Sequence, residues 1–411
     1  CSAVARWNQE NPSALFKGFM PPEWGTMPFQ WMFRCVLSGA LVLLQALPAV
    51  AGFPGRTVFR GYGIEEGLGS LAINALAQDR EGFLWIGTDL GLYRFDGTRF
   101  LHLGRAEGLP ADIVTSLWAD PSGGVWVSCA QGARRVVGLQ VLGAGEGLPE
   151  GLFFGMARDG DGRLWVAKGR QGLFRETSRG RFESIPAWSR AWVVAWAPQT
   201  GGMVVAGPEG RMELWRGGEA AQSWSLRDGL GREPHGVTED GEGRLWVLDG
   251  QGLFVKDPHG NRFRRVEHPV VRSGGLNRSL APDGRGGFWV ATVHGLLRVR
   301  KGLLEPLTEQ EGLPAHGATA VLQDREGSLW CGSGGLFRQL GLGAWVNHTT
   351  AQGLPSELVW RFERDAQGRL WAGTDRGLAC WEGQRWRSLP ETADFTAQSL
   401  LPLPGGGLLA A

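Results

Sequence analysis

A seven-residue motif, Asp-x-x-Gly-x-Leu-Trp, recurs along the chain and constrains its fold more than any other feature. Clear copies are DREGFLW (79–85), DGDGRLW (159–165), DGEGRLW (240–246), DREGSLW (324–330) and DAQGRLW (365–371). Looser copies are DPSGGVW (120–126), DGRGGFW (283–289), PQTGGMV (198–204) and LPGGGLL (403–409). The tryptophan position or its equivalent returns every 38 to 43 residues. Regular periods of this length are typical of repeat architectures such as propellers and solenoids.

Each repeat unit divides into four short segments with strand character. In the first unit these are LAINALAQ (71–78), FLWIGT (83–88), LYRF (92–95) and TRFLHL (98–103). Asp79 and Gly82 lie in the turn after the first segment, and Asp96-Gly97 is a strong two-residue hairpin signal before the fourth. Four antiparallel strands in about 40 residues match one blade of a β-propeller.

A propeller gives each repeated residue a structural role. Blades stack face to face, so the tryptophans are expected to fill the wedge between neighbours, and the small residues after them to allow close backbone approach. The repeated aspartates are expected to form turns and not to act as catalytic acids. The units run from about residue 57 to the last residue, which favours a closed propeller of 4–8 blades followed by the start of another.

Composition agrees with a turn-rich β protein and excludes several other classes. Glycine accounts for 66 of 411 residues, which disfavours long helices, and a hydrophobic fraction of 43% excludes a disordered chain. Lys+Arg (42) and Asp+Glu (41) nearly cancel, so the charge gives no reason to expect nucleic acid as a partner. The cysteines after the N-terminal segment show no C-x-x-C pair and are expected to be buried thiols.

The N-terminal segment has the layout of an export signal. Residues 1–26 show no periodic pattern and are expected to be a leader outside the natural product. Residues 27–51 combine Arg34, an apolar stretch from Val36 to Leu47 and the small-x-small site AVA at 49–51, which is typical of a secretory signal peptide. The alternative is an uncleaved anchor, although the apolar stretch is shorter than the ~20 residues that span a bilayer. Export to the periplasm is therefore predicted.

No catalytic, cofactor or metal motif emerges from the sequence. Phosphate-loop, H-E-x-x-H and G-x-S-x-G patterns are absent. The stretch DGDG at 159–162 has some likeness to a calcium loop, but it lacks the later oxygen ligands and the terminal glutamate. We therefore predict no catalytic residue, no cofactor and no metal.

The first unit resembles a known repeat. The run DREGFLWIGTDLGLYRFDG (79–97), with Glu66-Gly67-Leu68 before it and EGLP (107–110) after it, is similar to the two-component regulator propeller repeat. That family builds the periplasmic sensor region of hybrid histidine kinases and some diguanylate cyclases. The resemblance implies a seven-bladed first propeller at 57–345 and the first blades of a second at 346–411. It also implies a membrane tether and a kinase or cyclase domain beyond residue 411, with no enzyme activity in this region.

A candidate ligand site follows from one register of the repeat. Counting back five residues from each turn aspartate reaches a position near the start of the innermost strand, at one mouth of the channel. Its occupants are Asn74, Thr115, Phe154, His235, Arg278, Thr319 and Trp360. Concave mouths with convergent polar groups are ordinary ligand sites. We predict that His235, Arg278 and Trp360 contact a ligand or partner; the alternative is that these side chains merely line the channel.

Three functions remain open at this point. The leading one is a non-enzymatic sensor that binds an extracellular ligand and biases a membrane-coupled output; the family resemblance makes carbohydrate one ligand class. Its expected partners are the adjoining propeller and signalling domains, and a homodimer is left open. The alternatives are a secreted propeller that acts as an interaction scaffold and a propeller lyase or glycosidase with its site in the channel.

Overall fold

The computed structural model describes residues 56–271, 276–314, 317–341, 346–383, 385–403 and 407–411. The chain divides into a unit of residues 1–49 and a unit of residues 50–411, and every statement below refers to the second. The predicted leader (1–26) and signal peptide (27–51) lie outside the described residues. Within the described ranges the chain is all-β and forms no α-helix. Its short 3-10 turns are Arg105–Glu107, Pro208–Gly210, Leu226–Asp228, Pro269–Val271, Thr350–Gln352 and Pro390–Thr392.

Four-stranded antiparallel sheets follow one another along the chain, as the repeat predicts. Sheet 1 contains β3 (Ile73–Gln78), β4 (Leu84–Thr88), β5 (Gly91–Phe95) and β6 (Phe100–Leu103). Sheet 2 contains β7 (Val114–Ala119), β8 (Val125–Cys129), β9 (Gly132–Val137) and β10 (Gln140–Leu142). Sheet 3 contains β11 (Gly155–Arg158), β12 (Leu164–Ala167), β13 (Leu173–Ser178) and β14 (Arg181–Ile185). Sheet 4 contains β15 (Val193–Ala197), β16 (Gly202–Ala206), β17 (Met212–Arg216) and β18 (Glu219–Trp224).

The later sheets repeat this up-and-down order. Sheet 5 contains β19 (Pro234–Glu239), β20 (Leu245–Asp249), β21 (Gly252–Lys256) and β22 (Arg264–Arg265). Sheet 6 contains β23 (Leu276–Pro282), β24 (Phe288–Thr292), β25 (Gly295–Arg300) and β26 (Leu303–Leu307). Sheet 8 contains β31 (Val359–Arg364), β32 (Leu370–Thr374), β33 (Gly377–Trp381) and β34 (Trp386–Ser388). Two-stranded pairs join β1 (Arg56–Thr57) to β30 (Val346–Asn347) and β35 (Leu400–Pro402) to β36 (Leu408–Ala410).

Sheet 7 combines three strands of the seventh repeat with one strand from the start of the repeat array. Its strands are β27 (Ala320–Gln323), β28 (Leu329–Gly332), β29 (Leu336–Gln339) and, as the outer strand, β2 (Phe59–Tyr62). The β2 strand pairs antiparallel with β29, from Phe59 opposite Gln339 to Tyr62 opposite Leu336. The first strand of sheet 7, β27, also lies beside β3, the first strand of sheet 1. Sheets 1 to 7 therefore form a closed circle, which we call the seven-sheet circle.

The core of the seven-sheet circle lies between its sheets. In the described residues, a separate cluster of buried apolar side chains occupies each junction between consecutive sheets from 1 to 7, and a further cluster joins sheet 7 to sheet 1. The repeated tryptophans belong to these clusters and are at most 5% exposed, namely Trp85, Trp126, Trp165, Trp246, Trp289 and Trp330. Val204, which replaces tryptophan in sheet 4, is fully buried. The prediction that this position is core is confirmed, and Trp371 of sheet 8 is half-buried.

The repeated aspartate holds the turn and the tryptophan together. In sheet 1, one Asp79 oxygen accepts a hydrogen bond from the Phe83 amide (2.9 Å) and the other from the Trp85 indole Nε1 (2.6 Å). The same indole-to-aspartate bond occurs at Trp126, Trp165, Trp246, Trp330 and Trp371. A buried indole N–H without a partner is costly, so the six-residue spacing from aspartate to tryptophan has a physical cause.

A small residue two positions after most of the repeated tryptophans permits close contact with the next sheet. A Cβ atom added to Gly87 would lie 2.6 Å from Val114 of sheet 2, and one added to Gly332 would lie 2.5 Å from Ile73 of sheet 1. Between units, Gly108 adopts φ 105° and directs Leu109 into the core. This geometry explains the recurring Gly-Leu pair, because only glycine adopts a positive φ without strain. Among the described cysteines, Cys129, Cys331 and Cys380 are free and buried, as predicted.

Candidate functional site

The register chosen from the sequence coincides with a backbone irregularity of the first strands. In sheet 5, Pro234 pairs with Asp249 and Gly236 with Leu248, so the register shifts by one residue at His235. The same one-residue β-bulge occurs at Asn74 in sheet 1, at Thr115 in sheet 2 and at Trp360 in sheet 8. Because the first strands of successive sheets contact each other, these bulges lie on the innermost strands. Bulges commonly re-aim side chains near functional sites.

The three predicted contact residues do not come together. His235 lies half-buried on β19 of sheet 5. Arg278 lies on β23 of sheet 6, where the pairing shifts between Leu276 and Leu280, and its side chain is outside those described. Trp360 lies on β31 of sheet 8, outside the seven-sheet circle, and is 48% exposed. The structure therefore places His235 and Arg278 on adjacent sheets but does not place Trp360 at the same mouth. Ligand contact by these residues stays a prediction.

Other members of this register serve the fold. Asn74 Nδ2 donates to Asp89 Oδ1 (2.7 Å) and to the Val114 carbonyl of sheet 2 (3.0 Å). Thr319 Oγ1 donates to the Ile73 carbonyl of sheet 1 (2.5 Å). These bonds join one sheet to the next and give Asn74 and Thr319 a structural role.

A second register, three residues after the tryptophan, carries the more informative side chains. It ends the second strand of each sheet and is occupied in turn by Thr88, Cys129, Lys168, Gly207, Asp249, Thr292, Ser333 and Thr374. The threonines close the following turn, since their Oγ1 atoms donate to the carbonyls of Gly91, Gly295 and Gly377. Lys168 and Asp249 are the ionisable exceptions to this small polar pattern. The sequence analysis missed both, although comparison of this register across the repeats would have found them.

Lys168 is a buried cation beside a cavity. Lys168 is 2% exposed. Its Nζ donates a hydrogen bond to the Gly151 carbonyl (3.1 Å) and lies 4.8 Å from the centre of the Phe153 ring. Burial lowers the pKa of Lys168 to about 8, and the nearby Glu150 carboxylate offsets part of this effect. The ammonium is thus held where water is largely excluded.

The cavity next to Lys168 has a volume of about 340 Å³ and combines aromatic walls with cations. It lies among the loop before β11, the turn between β12 and β13, and the residue before β15. Its lining residues are Ala130, Gly151, Leu152, Phe154, Lys168, Arg170, Gln171 and Trp192. The volume is within the range of about 300–1,000 Å³ usual for small-molecule sites.

A second cavity, of about 220 Å³, begins on the other side of Phe154. It is lined by residues of the innermost strands of sheets 2 to 6, among them Ser116, Gly155, Val194, Gly236 and Leu280. It therefore occupies the channel of the seven-sheet circle. Phe154 borders both cavities, so it separates the channel from the space beside Lys168.

Asp249 is the buried anion of the same register. Its Oδ1 accepts hydrogen bonds from the amides of Gln251 (2.6 Å) and Gly252 (3.0 Å), while Oδ2 is buried without a hydrogen-bond partner among the described residues. Burial raises the pKa of Asp249, and the two amides and the charge of His235 act in the opposite direction. His235 and Asp249 lie on the neighbouring strands β19 and β20 of sheet 5.

The described residues contain no group of three or more metal-ligating side chains. At the calcium-like loop, Asp159 Oδ1 accepts hydrogen bonds from the amides of Asp161 and Arg163. Its Oδ2 accepts a hydrogen bond from the Trp165 indole. Both oxygens therefore serve the turn and the core. In the described ranges, no helix is long and apolar enough to cross a membrane.

The titration of Lys168 has a measurable consequence for stability. Its pKa is about 8 in the folded chain and 10.5 in the reference state, so between these values the folded state binds fewer protons. We therefore expect the free energy of unfolding to contain a contribution that rises as pH increases from 8 to 10.5. Urea unfolding across this window should show a smaller rise in Lys168→Met than in the parent chain. Lys301→Met, which removes an exposed lysine, should keep the full rise; an equal loss in both variants would contradict the assignment.

Comparison with known proteins places these features in a family context. The model of the two-component regulator propeller matches residues 67–89 and 353–376. No curated protein matches the chain by sequence. Among solved structures, the extracellular domain of B. thetaiotaomicron BT3049, described as a hybrid two component system, aligns with TM-score 0.65 and 19% identity, over 86% of this chain and 52% of that chain.

Two further structures show the range of the likeness. The extracellular domain of B. thetaiotaomicron BT4673 aligns with TM-score 0.56 and 17% identity, over 81% of this chain and 47% of that one. Virginiamycin B lyase from Staphylococcus aureus aligns with TM-score 0.55 and 11% identity, over 69% of this chain and 99% of the lyase. At these identities the likeness shows the propeller fold alone, and the chain spans about half the length of the two Bacteroides domains. The chain is therefore a β-propeller in which two segments, 67–89 and 353–376, match the two-component regulator propeller.

Proposed function

We propose that this chain is the ligand-sensing region of an exported signalling receptor of the hybrid histidine kinase or diguanylate cyclase type. The observation that carries the proposal is the combination of the matched repeats at 67–89 and 353–376 with the seven-sheet circle. The extracellular domains of two-component systems that share the fold support this assignment. A receptor needs a ligand that binds one conformation better than another, and the cavities at Phe154 offer space for one.

The proposal includes a second propeller that begins at residue 346. Sheet 8 repeats the indole-to-aspartate bond and the Thr374 turn of the seven-sheet circle. Its first strand nevertheless exposes Trp360 (48%) and Phe362 (52%), whereas Leu76 and Val321 at the position of Phe362 are half-buried or buried. Exposed aromatic residues on a sheet of this type are what an incomplete set of neighbouring blades would leave.

The state of the acidic residues supports a role in binding and not in turnover. The turn aspartates of sheets 1, 2, 3, 5, 7 and 8 accept indole and backbone N–H groups. These bonds give the turn aspartates a structural role, since they hold the turn and the indole in place. The His235–Asp249 pair is the one arrangement in the described residues that motivates a test for catalysis, since the fold is also that of virginiamycin B lyase.

The reading frame provides the first test of the proposal. We expect the gene past codon 411 to encode further propeller repeats, an apolar span of ~20 residues and a kinase or cyclase whose output changes when residues 57–411 are deleted. A stop codon soon after a completed second propeller would instead support a free-standing scaffold. Recovery of a chemically altered ligand, lost in His235→Ala, would support the enzyme.

A further inference from the structure

Lys168 occupies a position that the repeat normally gives to a small residue. A threonine there closes the turn through a hydrogen bond to a glycine carbonyl, as in Thr88 to Gly91 (2.9 Å). Lysine cannot close the turn in this way, and burial of its ammonium opposes folding. Lysine is also rare in this chain, where the lysines are Lys17, Lys168, Lys256 and Lys301. The turn itself therefore does not require a lysine at this position, although Nζ holds the loop at Gly151.

Two aromatic rings flank the cavity into which Lys168 faces. Phe154 and Trp192 meet edge to face, with their ring centres 4.8 Å apart. Gly169, at φ 60°, makes room for them, because a Cβ atom there would lie 2.6 Å from the Phe154 ring and 2.8 Å from the Trp192 ring. The aromatic walls thus depend on a glycine directly after the lysine.

The cavity is held in shape before any ligand arrives. Gly169 and Ala191 exchange two backbone hydrogen bonds (2.7 and 2.9 Å), which fix the turn to the strand that follows Trp188. Gln171 Nε2 donates to the Glu150 carbonyl (2.9 Å), and Lys168 Nζ donates to that of Gly151 (3.1 Å). A preformed site loses less conformational entropy on binding than a flexible one.

The geometry points to a small organic carboxylate with a flat apolar body as the ligand of this cavity. The carboxylate would accept from the N–H groups of Lys168 Nζ that do not point to Gly151, and the body would pack against Phe154, Trp192 and Leu152. A neutral sugar fits less well, because Gln171 and the indole N–H of Trp192 are the uncharged polar groups that the described lining side chains offer. Arg170 adds a second positive charge at the rim of the cavity. The carboxylate of Glu150, in the loop before β11, opposes this attraction for an anion, and it pairs with Arg134.

The biological role of this cavity rests on the proposed sensing function, but its ligand class does not. Binding can be tested with this chain by itself. We suggest trans-cinnamate as probe, cinnamamide as its uncharged match and maltose as a neutral sugar. Lysine labelled with ¹³C at Cε gives one signal per lysine, so binding can be read at Lys168 directly. We expect cinnamate to shift the Lys168 signal and to bind about tenfold or more tightly than cinnamamide, as a charge-assisted hydrogen bond implies.

Variants separate the contact from general effects on folding. Lys168→Met should weaken cinnamate binding about tenfold or more and leave cinnamamide nearly unchanged. Lys256→Met is the matched control, since Lys256 is also buried (5% exposed) but lies in sheet 5 and donates to Asp257 and Gly260 carbonyls. If Lys168→Met does not fold, Gly169→Ala provides a second test, because its Cβ would press on both rings. In this variant cinnamate should no longer shift the Lys168 signal, while that signal should still change with pH as Lys168 titrates.

Each outcome bears on the inference separately from the proposed function. Equal affinity for cinnamate and cinnamamide, a shift at Lys256 in place of Lys168, or a Lys168 shift caused by maltose alone would overturn the ligand class. A receptor output beyond residue 411 that responds to ligand while cinnamate fails to bind would leave the sensing function standing and remove this cavity from it. Cinnamate binding to a chain whose gene encodes no output domain would support this ligand class and would contradict the proposed sensing function.

Discussion

Replacement of Trp330 by alanine is expected to lower the free energy of unfolding by about 3–5 kcal/mol, as for other buried large-to-small changes. Trp330 is 4% exposed and lies at the junction of sheets 7 and 1, where the circle closes. Its ring stacks on Tyr62 of β2 (centres 5.7 Å apart) and meets Phe95 of sheet 1 edge to face (5.9 Å). The substitution removes packing from three segments of the chain at once and leaves Asp324 without its indole partner. Guanidinium unfolding followed by circular dichroism measures the loss.

Two other substitutions define what the Trp330 result means. Trp371→Ala changes the same repeat position in sheet 8, where the side chain is half-buried, so its cost should be clearly smaller. Trp330→Phe keeps most of the packing and loses the hydrogen bond to Asp324, which predicts a loss of about 1–3 kcal/mol. Equal losses for Trp330→Ala and Trp371→Ala would show that the junction of sheets 7 and 1 has no special weight.

Replacement of Asp283 by alanine is expected to lower the free energy of unfolding by a similar amount, about 3–5 kcal/mol, because it removes the buried carboxylate that pairs with the partly buried Arg298 and Arg300. Asp283 is 2% exposed. Its Oδ1 accepts hydrogen bonds from the amides of Arg285 (2.8 Å) and Gly287 (2.7 Å). Oδ2 accepts from Arg298 Nη2 (3.0 Å) and Arg300 Nε (3.1 Å). Burial raises the pKa of Asp283, but these amides and Arg298 outweigh it and hold the pKa below the usual 3.8.

The lowered pKa gives the Asp283 prediction a pH signature. The folded state binds fewer protons at Asp283 than the unfolded state, so its stabilising contribution is present above pH 3.8 and is lost as pH falls through the folded pKa. The difference in free energy of unfolding between the parent chain and Asp283→Ala should therefore shrink in acid. Asp161→Ala, which removes an exposed turn carboxylate, should stay within about 0.5 kcal/mol of the parent chain at every pH. A constant difference for Asp283→Ala would contradict the prediction.

Much of the fold could be predicted because the repeat encodes local geometry. The period, the turn at each aspartate and the buried position of tryptophan follow from residues within one unit, and the structure confirms them. Sheet 6 departs from the common pattern for a reason that one unit cannot show. Arg298 and Arg300 both donate to Oδ2 of Asp283, and the Trp289 indole donates instead to Gln323 of the next sheet (2.9 Å). That bond depends on two units together.

The candidate site could be predicted only in part. The bulge register was found by counting, but the count is the same in every sheet and cannot say which sheets share a mouth, so Trp360 was grouped with His235. Lys168 was not predicted, because the packing interpretation covered the position two residues after the tryptophan and Lys168 lies one residue later. The cavity itself arises from Phe154, Trp192 and a loop between sheets 2 and 3, and their proximity depends on tertiary structure.

The pairing of β2 with β29 also sets an order of events for a chain that is made, and in our proposal secreted, from its N-terminus. Sheet 7 cannot acquire its outer strand from Phe59–Tyr62 until Gln339 has emerged, so early in biosynthesis the first strand and the growing array both present unpaired edges. Unpaired edges attract other chains. A copy whose Phe59–Tyr62 segment inserted into the seventh sheet of a second nascent molecule would form a strand-exchanged pair. Slow release from the ribosome or translocon would lengthen the period in which that error competes with closure.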